Sequence, residues 1–497
     1  MGNMQNHSAL FQQVTRCGFR SISLRKWLIK IAFIVFYSYS SCSYCAQDLP
    51  DLGNAASPIL SPMEEFALGQ SVLNELEAVL KISNDPIITD YLTSLGYRII
   101  ATFPNTYAQF QFFMVLDSRI NAFALPGGFI GVNSGLILAT NTESELAGVL
   151  AHEIGHVKQR HIARMYDHMG RIQLSTIAGL IASVILTTIN SEAGTGAMAA
   201  TLAGSQQAMI NFTREHEREA DFIGIQALAK AGFDPMGMAS FFHRMYQETR
   251  FYGSWVPEYL ITHPLSSERL MAAQTRAEEY PYKQIPDSPQ FHYAKARLMV
   301  MMAKTPQEAT NYFKKALKKG TYRNKLSVLY GLSLALLEEG KPQEAQPILD
   351  QLLQQAPQEP LFLLLLAQSK MQANQSDEAI TLLQRALKTY PRNYIIALTL
   401  ANWLIDFNHP NEAILLLKKH LLSHPKKILL LTALSAAYSK ANLTAQAHIT
   451  QAQAFKLQGD YHAALTQLRL ARKFDNLTDR ERKQIDAQIS EIQPKAG

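Results

Sequence analysis

Cysteine is all but missing from this chain. The three it has, Cys17, Cys42 and Cys45, fall within the first 45 of 497 residues, so everything after them is without a thiol, a disulfide or a cysteine metal ligand. That excludes a disulfide-stapled fold and a cysteine-built zinc finger; any zinc site here has to be made of histidine and carboxylate. Acidic residues are absent from the same leading stretch. Residues 1–46 carry Arg16, Arg20, Arg25, Lys26 and Lys30 with no Asp or Glu, and without them the net charge of +6 falls to +1. The basic balance therefore belongs to the leader, and nothing after it argues for nucleic acid.

Long apolar runs are scarce too. The run 31–37 follows Arg25, Lys26 and Lys30 and precedes small residues, the layout of a secretory signal peptide over 1–46 with cleavage near Cys45 or Ala46. An exported chain free of cysteine after its leader fits a bacterial periplasm. The uncharged stretch "LSTIAGLIASVILTTI" at 174–189 is sixteen residues long, short of the roughly twenty that span a bilayer. It is expected to form a buried or membrane-touching helix leading into a mobile lid, with a re-entrant or spanning helix as the alternative.

What is present is histidine in one place. The stretch "LAGVLAHEIGHVKQRHIARM" (146–165) follows "TESE", where Thr142 and Glu145 have the spacing of a capping box. Read as one helix at about 100° per residue, it sets His152 and His156 some 40° apart on one face, within reach of one zinc ion. Glu153 then stands about 100° aside, outside the ligand set but near a metal-bound water. By the same count His161 and His168 lie about 180° and 160° round from His152 and are expected at the surface or in a second layer.

A catalytic zinc needs a third protein ligand. The stretch "NFTREHEREADFIGIQALAKAG" (211–232) reads as a further helix, closed by Gly232. Glu217 and Asp221 share a face with small Ala220, whereas Glu215 and Glu219 share a nearly opposite one. A close approach at Ala220 favours the first pair; a solvated run of charges with Arg214 and Arg218 is the competing reading.

"HEIGH", then "EREAD" about sixty residues on, then "THP" at 262–264, resembles the HtpX-like zinc metallopeptidase family. The resemblance implies Glu217 as the third ligand, Asp221 as a supporting acid and a His-Pro loop that brings His263 near the metal. There His263 would stabilise an oxyanion, fill the fourth coordination position or serve structurally. Arg269 would hold that loop by pairing with a carboxylate. The stretch "NAFALPGGFIGVNSGLI" (121–137) resembles the family's strand ahead of the zinc helix, whose edge would pair with substrate backbone. The expected chemistry is peptide hydrolysis with one Zn2+ per chain and Glu153 as general base and acid.

Beyond the Pro-punctuated stretch 281–289 the chain repeats. Ala345, Ala379, Ala413 and Ala447 are spaced by 34 residues, as are Pro357, Pro391 and Pro425, which is the tetratricopeptide period. Gly340 and Gly459 fit turns between helices, and four to six helix pairs are expected, presenting a concave surface to extended peptides or partner loops. The fold class read from all this is mainly α: a gluzincin-like α+β protease domain with a small sheet at 47–282, a linker at 283–289 and an α-solenoid of repeats at 290–497. Leader, protease motifs and repeats together resemble a periplasmic branch of the family. That resemblance implies cleavage of unfolded or misfolded outer-membrane proteins, with the repeats docked on the barrel-assembly machinery, peripheral to the outer membrane. The other reading from the residues is a repeat adaptor or chaperone whose metal site is latent.

Overall fold

The computed structural model describes residues 60–104, 108–169, 178–179, 181–182, 185, 206–251, 257–475 and 477–493. The leader expected at 1–46 and the lid expected after 189 lie outside the described residues. Pro58–Gly497 form one compact unit.

Helix α1 (Pro62–Glu77) opens on a reciprocal capping box between Ser61 and Glu64, and α2 (Pro86–Ile100) on Asp85, whose carboxylate accepts from the amides of Ile87 and Ile88. Three short strands follow: β1 (Gln111–Val115), β2 (Ala122–Ala124) and β3 (Phe129–Asn133). They form a sheet in the order β1-β3-β2, with β3 parallel to β1 and antiparallel to β2. Every residue of the central strand is buried, while β2 is an edge. The turn before β3 needs glycine, because Gly127 has φ 74° and a Cβ there would lie 2.4 Å from the Cα of Phe66 in α1.

After α3 (Ser134–Ala139) comes the histidine-bearing α4 (Glu143–Lys158). Its cap is half of the expected box. The Glu145 amide donates to Thr142 Oγ1, but the Glu145 carboxylate accepts from the amide of Asn141 instead of that of Thr142. All thirteen residues from Glu143 to Gly155 are buried, so α4 is a central helix without the solvated face that an accidental histidine cluster would need.

The single helix expected over 146–165 is in fact two. α4 stops at Lys158, Arg160 takes the left-handed φ of 53°, and α5 (His161–Met169) starts in a new direction. Arg160 is held there by Glu65 and by the carbonyl of Leu60. The rotation counted from His152 to His161 along one helix therefore does not apply.

Helix α6 (Gln206–Lys230) packs along α4 and ends, as expected, at Gly232 with φ 76°. α7 (Met236–Phe251), α8 (Glu258–Thr262) and α9 (Ser267–Glu278) complete the surroundings of α4. Of 174–189, the described Ala178, Ile181, Ala182 and Ile185 are buried against α1 and the sheet. Among the described residues no helix is long and apolar enough to cross a membrane.

Residues 281–288 carry no helix or strand. They are tied down all the same, since the Glu143 carboxylate accepts from the amide and hydroxyl of Ser288 at 3.0 and 2.7 Å. The following α10 (Pro289–Met302) has two apolar faces. Phe291, Ala294 and Leu298 join the core around α4, whereas Tyr293, Ala296 and Val300 join the repeats.

Helices then follow in pairs: α11 (Pro306–Lys319) after α10, α12 (Lys325–Glu338) with α13 (Pro342–Gln355), and α14 (Pro360–Gln372) with α15 (Ser376–Thr389). The series continues with α16 (Tyr394–Asp406) and α17 (Pro410–Ser423), α18 (Ile428–Lys440) and α19 (Thr444–Gln458), and α20 (Tyr461–Arg472) and α21 (Asp479–Ile492). Ala345, Ala379 and Ala413 are fully buried where neighbouring helices meet. The turns inside pairs put Gly340, Asn374, Asn408 and Asn442 at positive φ, again at the 34-residue period, and Gly459 does the same between α19 and α20.

The array is not left wholly open. The first turn of α2 sits against it: Arg297 forks onto Asp85 at 2.8 and 2.6 Å, Lys427 reaches Asp90 at 3.2 Å, and Ile87 packs on the core of α16 and its neighbours. Part of the array's surface is thus covered by the chain itself.

Candidate metal centre

One turn of α4 brings His152 and His156 together, with their Nε2 atoms 2.9 Å apart. Glu217 on α6 completes a triangle, Oε2 lying 3.3 Å from His152 Nε2 and Oε1 3.2 Å from His156 Nε2. The close approach expected at Ala220 is what permits this. Ala220 is fully buried, and a Cβ on Gly155 of α4 would stand 3.2 Å from its carbonyl oxygen. Of the competing acids, Glu215 is exposed, while Glu219 is half-buried and faces His161.

The residues fit zinc. Bonds of about 2.0–2.1 Å in a tetrahedron put neighbouring donors roughly 3.3 Å apart. The three separations here are 2.9, 3.2 and 3.3 Å, and imidazole nitrogen with carboxylate oxygen is the borderline donor set that zinc takes. His263, at the end of α8, comes to the same place, with Nδ1 3.1 Å from Glu217 and 3.3 Å from His152 Nε2. All four donor atoms fall within 4.8 Å of one another.

Around the donors lies a fixed frame. Asp221 Oδ1 stands 2.8 Å from His152 Nδ1, so the imidazole offers its other nitrogen to the site. Arg269 forks onto Asp221 at 2.8 and 2.9 Å, and its Nη1 reaches Glu217 at 2.9 Å and the Pro264 carbonyl at 2.7 Å. One buried guanidinium thus ties both acids to the His-Pro loop, the role expected of it. Burial alone would push the His152 imidazole down, but Asp221 and Glu217 outweigh it and carry its pKa up to about 10. Burial would likewise raise Glu217, yet His263 and His156 hold it well below the usual carboxylate range. The pocket favours a positive charge at its centre.

Glu153 is fully buried beside this cluster, and among the described residues no side chain donates a hydrogen bond to either of its oxygens. Its Oε1 stands 3.5 Å from His263 Nε2. Burial pushes the Glu153 pKa up, with His263 and His152 pulling the other way. A buried carboxylate without a side-chain donor, next to three groups that could hold a metal, is placed to take a proton from a water held between them. Edge strand β2 packs beside α4, and the cleft there is lined by Ala124, Leu125, Pro126, His156 and Ile162.

Over 332 residues the chain is 39% identical to the beta-barrel assembly-enhancing protease of Yersinia pestis and 36% to that of Escherichia coli (strain K12), covering 67% of this chain and 68% of each relative. The sequence matches Peptidase family M48 over residues 87–277. The chain belongs to that family. As an M48 peptidase it is a metalloendopeptidase, and it is also 29% identical over 171 residues to a mitochondrial metalloendopeptidase of Arabidopsis thaliana, with 33% of this chain and 32% of that one covered. The tetratricopeptide repeat matches at 300–369, 336–393 and 370–437. The chain spans about two thirds of the length of its bacterial relatives, 65–68%.

Near the M48 centre one residue carried no mark in the sequence, and another, expected at the surface or in a second layer, lies in the second layer. Tyr259 is fully buried with its ring 4.8 Å from that of His263, and only the turn of α8 brings it there. His161 stands behind His156, their Nδ1 atoms 2.8 Å apart, because the chain breaks at Arg160. His168 has its side chain outside the described residues.

Proposed function

We propose that the protein is an exported zinc endopeptidase that hydrolyses peptide bonds in unfolded or misassembled envelope proteins, in the periplasm and peripheral to the outer membrane. The names of its relatives support barrel assembly as the setting. In this reading 1–46 is a signal peptide, 47–282 the catalytic part, 283–289 a linker and 290–497 the part that docks on the outer-membrane barrel-assembly machinery. The single observation that carries the enzymatic reading is the triangle of His152, His156 and Glu217 donors beside the fully buried Glu153.

One Zn2+ held by those three residues would polarise the scissile carbonyl and acidify a water at its open position. Glu153 takes that water's proton and returns it to the leaving amine. Asp221 fixes the tautomer of His152 and, through Arg269, the place of Glu217. Edge strand β2 aligns substrate backbone, which gives binding with little side-chain selectivity. His263 supports the oxyanion when it swings off the donor set.

Glu153→Gln should abolish cleavage of unfolded casein while the purified protein keeps about one zinc per chain, by metal analysis. Loss of the zinc in that variant would make Glu153 a ligand and sink the assignment.

The closeness of His263 to the other three donors favours a second reading, in which a four-donor set keeps the site latent and the chain acts chiefly as a repeat adaptor. His263→Ala separates the two. Cleavage of casein rises several-fold if the site is latent and falls if His263 supports the oxyanion.

A further inference from the structure

Behind the donor triangle a second line of side chains runs away from His156, and nothing in the proposed reaction uses it. His161 is 3% exposed. Its Nδ1 stands 2.8 Å from His156 Nδ1, and its Nε2 stands 3.1 Å from Glu219 Oε2. Glu219 in turn accepts from Arg164 Nη2 at 2.6 Å. The ring of His161 lies flat on that of His216, centroids 4.1 Å apart and planes 7° from parallel.

We infer that His161 is a positioning residue for the metal centre, holding His156 in the one tautomer and ring orientation that points Nε2 at the metal. The inference rests on the reading of His156 as a ligand. Its logic is a count of protons. The atom that His156 turns toward His152 and Glu217 is Nε2, so that nitrogen must keep a lone pair and Nδ1 must carry the hydrogen. A buried N–H needs an acceptor, and the atom within reach is His161 Nδ1. His161 then carries its own hydrogen on Nε2 and donates it to Glu219. The direction of every bond follows: His156 to His161, His161 to Glu219, and Arg164 to Glu219.

His152 is oriented differently, by Asp221 directly. Three carboxylates, Glu153, Glu217 and Asp221, already crowd the centre. An imidazole placed between His156 and Glu219 passes on the orientation without bringing in a fourth negative charge. The position of His161 is also maintained at some cost. It depends on the left-handed Arg160, which a non-glycine residue adopts only when its surroundings enforce it, and Glu65 with the Leu60 carbonyl does so here.

A histidine that merely fills space would look similar, so the test separates hydrogen bonding from packing. His161→Leu fills most of the space but accepts no hydrogen bond. His161→Asn places an amide oxygen close to the position of Nδ1 and can accept. Zinc affinity is measured by competition with a chelator for the wild type, both variants and His156→Ala, alongside the melting temperature of each metal-free protein. The expected result is a loss of roughly 10- to 100-fold in zinc affinity for His161→Leu, with His161→Asn restored to within a few-fold of the wild type. Equal affinities in Leu and Asn variants, whether both unchanged or both reduced, would overturn the inference. Stoichiometric zinc in the wild type and its loss in His156→Ala would then show that only the inference had failed. Absence of zinc binding in the wild type would remove the ligand reading along with it.

Discussion

Glu153 shows most plainly how the environment of one residue sets chemistry. Its carboxyl is fully buried, so the charged form is disfavoured and its pKa lies above the ordinary 4.5. In the proposed role as general base it is active only when ionised. A raised pKa therefore moves the acid limb of the pH profile upward: kcat/KM on an unfolded substrate should begin to fall, as pH decreases, above the pH at which an ordinary carboxylate protonates. A profile that stays flat down to about pH 4.5 would contradict that role. At this scale much was readable in advance. The spacing of His152, Glu153 and His156 on a helix is chemistry written in sequence, and Arg269 could be expected to seek a carboxylate. The choice of Glu217 over Glu219 was less legible, because both turn toward buried histidines, one toward His152 and the other toward His161. Periodicity alone separates faces of one helix, not the two neighbours those faces meet.

Between elements, the centre is set by how closely α4 and α6 approach. Gly155 faces the Ala220 backbone, and on Gly224 of α6 a Cβ would lie 3.3 Å from the Ala151 carbonyl oxygen. These small residues leave no room for branching. Gly155→Val should force the helices apart, with a loss of roughly 1–3 kcal/mol of stability from overpacking. Because Glu217 and the two histidines sit on opposite sides of that contact, zinc affinity should drop as well. A denaturant melt together with chelator competition checks both, and a variant that melts lower yet holds zinc as before would show that the helix spacing does not set the donor triangle. Helix starts and stops were legible where the terminal residue itself does the work, by a capping hydroxyl at Thr142 and by the want of a side chain at Gly232. The stop at Lys158 was not, since an arginine at positive φ leaves no trace in composition and is imposed by Glu65 and Leu60 from far along the chain. That one break carried His161 from the far side of a helical wheel to the back of the metal site.

Across the whole molecule, the 34-residue period gave away the repeats, with their buried alanines and the turns at Gly340 and Gly459, but neither the left-handed asparagines of the other turns nor where the repeats rest. What periodicity cannot encode is a contact between the first turn of α2 and helices more than two hundred residues later. Asp85 does two jobs there. Oδ1 caps α2, and Oδ2 accepts both bonds from Arg297, whose Nη1 also donates to the Tyr330 hydroxyl at 3.1 Å. The pair is largely out of water, with side-chain exposures of 15% for Arg297 and 11% for Asp85. Arg297→Met keeps the length of the side chain and removes the charge, which leaves the Asp85 carboxylate buried with only the helix amides to satisfy it. The loss should be about 2–3 kcal/mol, below the 3–5 expected for a fully buried pair because those amides remain. Asp85→Asn in the same chain should recover part of it, since asparagine also caps a helix and brings no charge to strand. Hydrogen exchange at the amides of Ile87 and Ile88 reads the effect where it occurs, and should quicken in the single variant more than in the double. Were the single variant as stable as the wild type, the ion pair would be incidental. The protease core and the repeats would then be held together by their other contacts, among them the two apolar faces of α10, the packing of Ile87 and the Lys427–Asp90 pair.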